Sequence, residues 1–199
     1  WSYDKTLRLW NLTDGISKVL KGHTDSVDGA KMCNLDSVLS WSRDKTLRLW
    51  NLNDGSSKVF KGHSDEINGA QMIGKHKFIS WSKDKTLRLW NLKDGSSKVF
   101  EGHSDEINGA QCIEKNKVLS WSHDKTLRLW NLKEGTSIVF KGHTNRIYSI
   151  HLINKDTVIS KSWDNTLCVW SLKNRKLFSK YVFEGIGGGT VFPIGDKNQ

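Results

Sequence analysis

The sequence predicts an all-β array of stacked repeats, and three observations carry that prediction. The block Trp-Ser-x-Asp-Lys-Thr-Leu-Arg-Leu-Trp begins at Trp1 and returns at Trp41, Trp81 and Trp121, with a worn fifth copy from Ser162 to Trp170. Trp10, Trp50, Trp90, Trp130 and Trp170 therefore fall forty residues apart without a slip, and a period of roughly 20–50 residues means one supersecondary unit stacked on its own copies. Each unit also holds four short runs of alternating apolar and polar side chains, the two-residue period of a half-buried strand. No window shows the helical period of an amphipathic helix.

The strands follow in order along one repeat. Phe78 to Ser82 alternates as a strand, Lys83-Asp84-Lys85 is a tight turn, and Thr86 to Trp90 alternates again with β-branched and aromatic content. Lys93-Asp94-Gly95 turns the chain, with Gly free to take positive φ. Ser97 to Phe100 is a third strand, Glu101 to Asp105 a further turn, and Ile107 to Ile113 the strand that opens the next unit. A lone four-stranded unit cannot bury both faces, so its neighbours must cover it. Inner strands are expected to start near Val27, Ile67, Ile107 and Ile147, and outer strands to end near Lys61, Glu101, Lys141 and Phe183. Thr6 to Lys21 should form two strands of a broken unit, and Gly189 to Pro193 should begin another inner strand.

Gly-His pairs at Gly22-His23, Gly62-His63, Gly102-His103 and Gly142-His143, followed by Asp and Trp at fixed offsets, resemble the WD40 repeat. The resemblance covers nearly the whole chain. It implies a β-propeller of blades arranged radially, here four complete four-stranded blades plus partial blades at both ends. The chain is then one propeller segment, 1–199, divided into a partial blade at 1–22, repeats at 23–62, 63–102 and 103–142, a divergent repeat at 143–183, and the start of a further one at 184–199. It enters and leaves in mid-repeat and reads as a piece of a longer protein, an incomplete ring cut from one of about seven blades, the alternative being a five-unit propeller closed by pairing the N-terminal half-blade with the C-terminal strand. Its exposed edges should favour self-association. The family's terminal Asp is missing, since Asn follows Trp10, Trp50, Trp90 and Trp130 and Ser follows Trp170.

His, Ser and Asp recur together in every repeat: His23, Ser40 and Asp44 with Trp50; His63, Ser80 and Asp84 with Trp90; His103, Ser120 and Asp124 with Trp130; His143, Ser160 and Asp164 with Trp170. The trio suggests nucleophilic hydrolysis, but a reaction centre needs one exposed copy beside a pocket, and here four copies sit in strand pattern. The resemblance implies a buried structural network, Trp to Ser to His to Asp, in which each group has the matching donor or acceptor. Of the two serines in each Ser-x-Ser, the first is taken as the participant.

Resemblance to the family also implies Gly where Trp41, Trp81 and Trp121 stand. The same repeats carry Gly29-Ala30, Gly69-Ala70 and Gly109-Ala110 on the inner strand, while the fifth has Ser149-Ile150 opposite Lys161. Either the large residue travels with the small pair to conserve volume, or the two drifted independently within a duplicated unit. Units 41–80 and 81–120 differ at eight of forty positions, so most blades offer nearly the same loops.

Bulk properties bound the function. Apolar residues at 36% with ten Trp suffice for an extended core, and no apolar run is long enough to span a membrane. Three cysteines without metal spacing point to a reducing, cytoplasmic compartment, with Cys33 and Cys112 as small buried hydrophobes. No metal or cofactor is expected. The net charge of +10 invites a nucleic-acid reading, but Asp65-Glu66 and Asp105-Glu106 interrupt any positive stripe, and the lysines are scattered. A solvated face, an acidic protein partner and nucleic acid all remain open, nucleic acid being the weakest. Arg8, Arg48, Arg88 and Arg128 should lay their stems across a neighbouring blade.

The expected role is a non-catalytic scaffold presenting loops to protein partners, the alternative being a sensor or autoinhibitory domain of a larger signalling NTPase or kinase. The fifth repeat carries the most individuality. Arg146, Tyr148 and Trp163 should meet there and anchor a partner, with Asp65, Glu66, Asp105 and Glu106 steering it, although Trp163 could instead be packing.

Overall fold

The computed structural model describes residues 2–183 and 191–193, all in strands and turns. The chain divides into two compact units, Trp1–Glu101 and Gly102–Gln199. In the first, β1 (Thr6–Trp10) and β2 (Ser17–Lys21) form a two-stranded sheet. A four-stranded antiparallel sheet follows from β3 (Val27–Asn34), β4 (Ser37–Ser42), β5 (Thr46–Asn51) and β6 (Ser57–Lys61). The next comprises β7 (Ile67–Met72), β8 (Lys77–Ser82), β9 (Leu87–Asn91) and β10 (Ser97–Phe100). In the second unit, β11 (Ile107–Glu114), β12 (Lys117–Ser122), β13 (Thr126–Asn131) and β14 (Ser137–Lys141) make a third such sheet. The last contains β15 (Ile147–Leu152), β16 (Thr157–Ser162), β17 (Thr166–Ser171), β18 (Lys176–Phe183) and β19 (Val191–Pro193).

β19 corrects one expectation. It pairs antiparallel with β18, Val182 facing Phe192, and so extends the last sheet outward rather than opening a new blade. The rest of 184–199, expected to start a further repeat, lies outside the described residues.

The turns follow from local chemistry. Between β4 and β5, Asp44 Oδ1 accepts the Thr46 N–H at 2.9 Å and its hydroxyl at 2.6 Å. Lys45 then takes φ of 67°, a left-handed position held by the surrounding bonds rather than by glycine. Between β5 and β6, Gly55 sits at φ 83° and its N–H reaches the Asn51 carbonyl at 2.8 Å.

Within each unit, successive sheets share their cores. In the first unit Leu39, Leu47 and Phe60 pack with Ile67, Phe78 and Trp90 of the next sheet. Phe60 meets Phe78 edge-on at 5.0 Å, and full burial of one such side chain contributes roughly 1.5–3 kcal/mol. In the two-stranded sheet Leu7 and Leu20 pack with Val27, Val38 and Trp50 of the next sheet, but Trp10 is 56% exposed, where its counterpart Trp50 is 1% exposed.

The Trp-for-Gly exchange is a packing pair. Gly29 faces Trp41 in the ladder, as Gly69 faces Trp81 and Gly109 faces Trp121. A Cβ on any of these glycines would collide with the facing indole ring. In the last sheet Ser149 faces Lys161, and both changes are reversed. The indole nitrogens of Trp81 and Trp121 are buried without a partner, a polar cost that ring packing must offset.

Two further expectations are corrected. Cys33 and Cys112 are half-buried at strand ends, and only Cys168 is enclosed, where burial raises its thiol to about 11. Arg48 and Arg88 fold their stems over their own sheet, and only the guanidinium comes up to Gly22 or Gly62, where the preceding outer strand ends. Arg48 lies 5.6 Å over the Trp50 ring of its own sheet, and its NH1 group donates to Ser57 Oγ on the next strand at 3.0 Å. Arg88 and Arg128 repeat that arrangement. Stacking on the nearer ring offsets part of the cation's burial, while the Nε of Arg48, Arg88 and Arg128 stays buried without a partner.

Candidate functional site

The His, Ser, Asp and Trp of each repeat meet in one hydrogen-bonded chain. Trp50 Nε1 donates to Ser40 Oγ at 2.8 Å, Ser40 Oγ lies 2.7 Å from His23 Nε2, and His23 Nδ1 lies 2.7 Å from Asp44 Oδ2. The carboxylate can only accept, so Nδ1 carries the proton, and Nε2 then accepts from the serine hydroxyl. The chain repeats through Trp90, Ser80, His63 and Asp84, and again through Trp130, Ser120, His103 and Asp124. It recurs through Trp170, Ser160, His143 and Asp164. Register explains why: Ser40 faces Arg48 across the β4–β5 ladder, two residues from Trp50, and β4 carries it inward to the histidine.

These groups are sealed. The four serines are fully buried, and the histidine side chains have no exposure. Each serine hydroxyl is taken up by an indole N–H and an imidazole, leaving it no approach to a substrate.

Protonation is pinned accordingly. Burial pushes the Asp44 carboxyl up, but hydrogen bonds from His23, Thr46 and the Thr24 N–H outweigh it and hold the group well below the ordinary carboxylate range. Asp84 and Asp124 are lowered in the same way. At Asp164 burial is again outweighed, chiefly by Thr166 and the Thr144 N–H, and the group falls to about 2. Burial lowers His103 and His143 against the opposing pull of their aspartates.

Three participants were missed in the sequence. Thr46 and its copies brace the aspartate, and their signal was present as an Asp-x-Thr kept in every repeat, Asp164-Asn165-Thr166 included. Ser42, the second serine, donates to the Asp25 carbonyl and accepts the Asp44 N–H. Lys180 is particular to the last sheet, where Cys168 replaces the arginine. Lys180 faces Cys168 on the next strand and donates to the Gly142 carbonyl at 2.9 Å, so a cation returns from the opposite strand.

The fifth-repeat residues also come together. Arg146 stands 4.7 Å over the Trp163 ring, and Tyr148 meets that ring edge-on at 6.0 Å. Trp163 is 58% exposed and Tyr148 49% exposed. The Trp163 N–H to Arg146 carbonyl bond at 3.0 Å fixes the two loops side by side. The acidic residues are more engaged than expected. Glu66 pairs with Lys83 at 2.8 Å and approaches Arg43 at 3.8 Å, while Glu106 lies 3.7 Å from His123. Asp65 and Asp105 each accept the N–H of the following glutamate at 2.8 Å.

Among the described residues, no cluster of three His, Cys, Asp or Glu side chains converges as a metal site would. Among the same residues, no helix is long and apolar enough to cross a membrane.

The repeat geometry and its buried chains define a WD-repeat protein, and the comparisons agree. The family described as "WD domain, G-beta repeat" matches residues 55–91, 95–131 and 135–171, more than half of the chain, which therefore belongs to it. WD40 propellers are generally protein-interaction scaffolds. Among solved structures, the crystal structure of the WD40 β-propeller domain of Doa1 is similar, with a TM-score of 0.74 at 25% identity. The match covers 93% of this chain and 64% of that one, so the chain spans less than two thirds of that relative's length. No curated protein is significantly similar in sequence.

Proposed function

We propose that this chain is a non-catalytic scaffold whose loops dock a protein partner, with Arg146, Tyr148 and Trp163 as the anchor. The carrying observation is the exposed Trp163 ring, with an arginine over its face and a tyrosine edge-on beside it, yet not buried. Burying it in a partner would bring apolar area and a cation–π contact together, the residue types that dominate interface energetics. The sealed His–Ser–Asp chains support a structural role, since no hydroxyl in them is open to a substrate. Asp65, Glu66, Asp105 and Glu106 act as weaker, steering contacts, being already engaged by their own or a facing loop. The repeats at 23–62, 63–102, 103–142 and 143–183 form one propeller segment whose shared parts give avidity and whose last repeat gives discrimination.

An alanine scan read by quantitative capture of a cross-linked partner tests this. Arg146→Ala and Trp163→Ala are expected to weaken capture by about tenfold or more, the range of interface hot spots, and Glu66→Ala by far less. Equal losses at Arg146 and Glu66 would remove the case for a privileged repeat.

A further inference from the structure

The opposite end of the last two sheets holds a second feature, which arises from two substitutions in the repeat. In the first unit a lysine on β2 and another on β6 close the junction to the next sheet. Lys18 Nζ donates to the carbonyls of Leu52 and Asn53 at 3.0 and 2.8 Å. Lys58 Nζ does the same to Leu92 and Lys93 at 2.9 and 2.8 Å. Each stem passes over a glycine, Gly55 or Gly95, which leaves it room. The repeat places Ile138 at that lysine position on β14, and Arg175 at that glycine position between β17 and β18. Ile138 has no ammonium to offer the corresponding carbonyls of Leu172 and Lys173.

A cavity of about 290 Å³ stands at this junction, with Ile113, Leu129, Ile138 and Leu172 as its apolar lining. It shares Lys117, Leu129, Ile138 and Arg175 with a neighbouring cavity of about 340 Å³. Its rim is cationic. Lys117 is paired with Glu114 at 2.9 Å, but Lys155, Lys173 and Arg175 enter no ion pair among the described residues, and Asp156 is the remaining acid on the rim. Arg175 holds φ of 58° where the sister repeats have glycine, so the cation sits in a left-handed turn.

We propose that this cleft docks an extended acidic peptide segment of a partner protein, one bearing a leucine-like side chain between carboxylates. The side chain fills the slot vacated by the lysine, the carboxylates face Lys155, Lys173 and Arg175, and peptide N–H groups meet the Leu172 and Lys173 carbonyls. Charge complementarity selects an anion, and the apolar floor selects a peptide over a phosphate backbone, which has nothing to place there. The site lies at the sheet end remote from Arg146 and Trp163, so it stands independently of the anchor described above.

Fluorescence polarisation on the full chain tests it with the labelled peptide Gly-Asp-Glu-Leu-Asp-Leu-Asp-Glu-Gly. The peptide is expected to bind, and Ile138→Lys to weaken it by about tenfold or more while thermal stability is kept or raised, because the sister junctions already use a lysine there. That loss would come despite an added positive charge. Arg175→Gly should weaken binding by a smaller factor, Trp163→Ala should leave it unchanged, and the same peptide with Ser for Leu or Lys for the acids should not bind. The proposal is overturned if the parent protein does not bind, if Ile138→Lys folds and binds as the parent does, if the Ser peptide binds equally, or if oligothymidylate displaces the peptide at equal charge.

Discussion

Removing the His63 imidazole tests the buried chain at a single link. In His63→Ala the Ser80 hydroxyl loses its acceptor at 2.7 Å and the Asp84 carboxylate its donor at 2.6 Å, both in enclosed surroundings. Each buried polar group left unpaired costs roughly 1–3 kcal/mol, so the sum is about 2–6 kcal/mol before the small cavity is counted. At roughly 2–4 °C per kcal/mol for a chain of this size, the melting temperature should fall by about 5–20 °C. Thermal melts followed by far-UV and near-UV circular dichroism read this directly, since Trp90 reports through its bond to Ser80. Adding Asp84→Asn to His63→Ala should cost less than the two single losses combined, because they act on one network. A melting temperature unchanged by His63→Ala, with partner binding abolished, would refute the structural role and give the histidine to a ligand.

Other outcomes follow from the same geometry. Acid should destabilise the protein in two stages: His103 and His143 are lowered in the fold, so below about 6.5 the unfolded chain takes protons that the folded one refuses. Below about 4 the unfolded carboxylates protonate while Asp164 stays charged to about 2, so stability falls further. Melting temperatures from pH 8 to 3 check this, and a flat profile would contradict both shifts. Gly69→Ala should cost roughly 1–3 kcal/mol through collision with Trp81, and Gly69→Ala with Trp81→Gly should recover part of the loss in denaturant titrations. The uncovered Leu9, Trp10 and Ile16 beside β1 should drive concentration-dependent self-association, which a monodisperse monomer in sedimentation at high concentration would contradict.

The strands were legible because a forty-residue period repeats each alternating run in the same frame, leaving little freedom in where Ile67 or Ile107 begins. The Gly69–Trp81 pair was legible for the same reason: repeats that differ in one partner differ in the other. Side-chain direction was not. Alternation places Arg48 on a face of β5 but does not say that it folds back over Trp50 instead of reaching outward. Lys180 was hidden because its partner change, Arg to Cys168, lies on a different strand, and only the β17–β18 register brings the two together. Val191–Pro193 offered too short a run to distinguish a new inner strand from an added edge.

The most direct measurement pairs thermal stability with partner affinity for two variants of the same repeat, His143→Ala and Trp163→Ala. A crossed result is expected: His143→Ala lowers the melting temperature yet binds at low temperature, while Trp163→Ala melts as the parent does and loses binding. The reverse pattern, with binding lost at His143 and stability lost at Trp163, would contradict it.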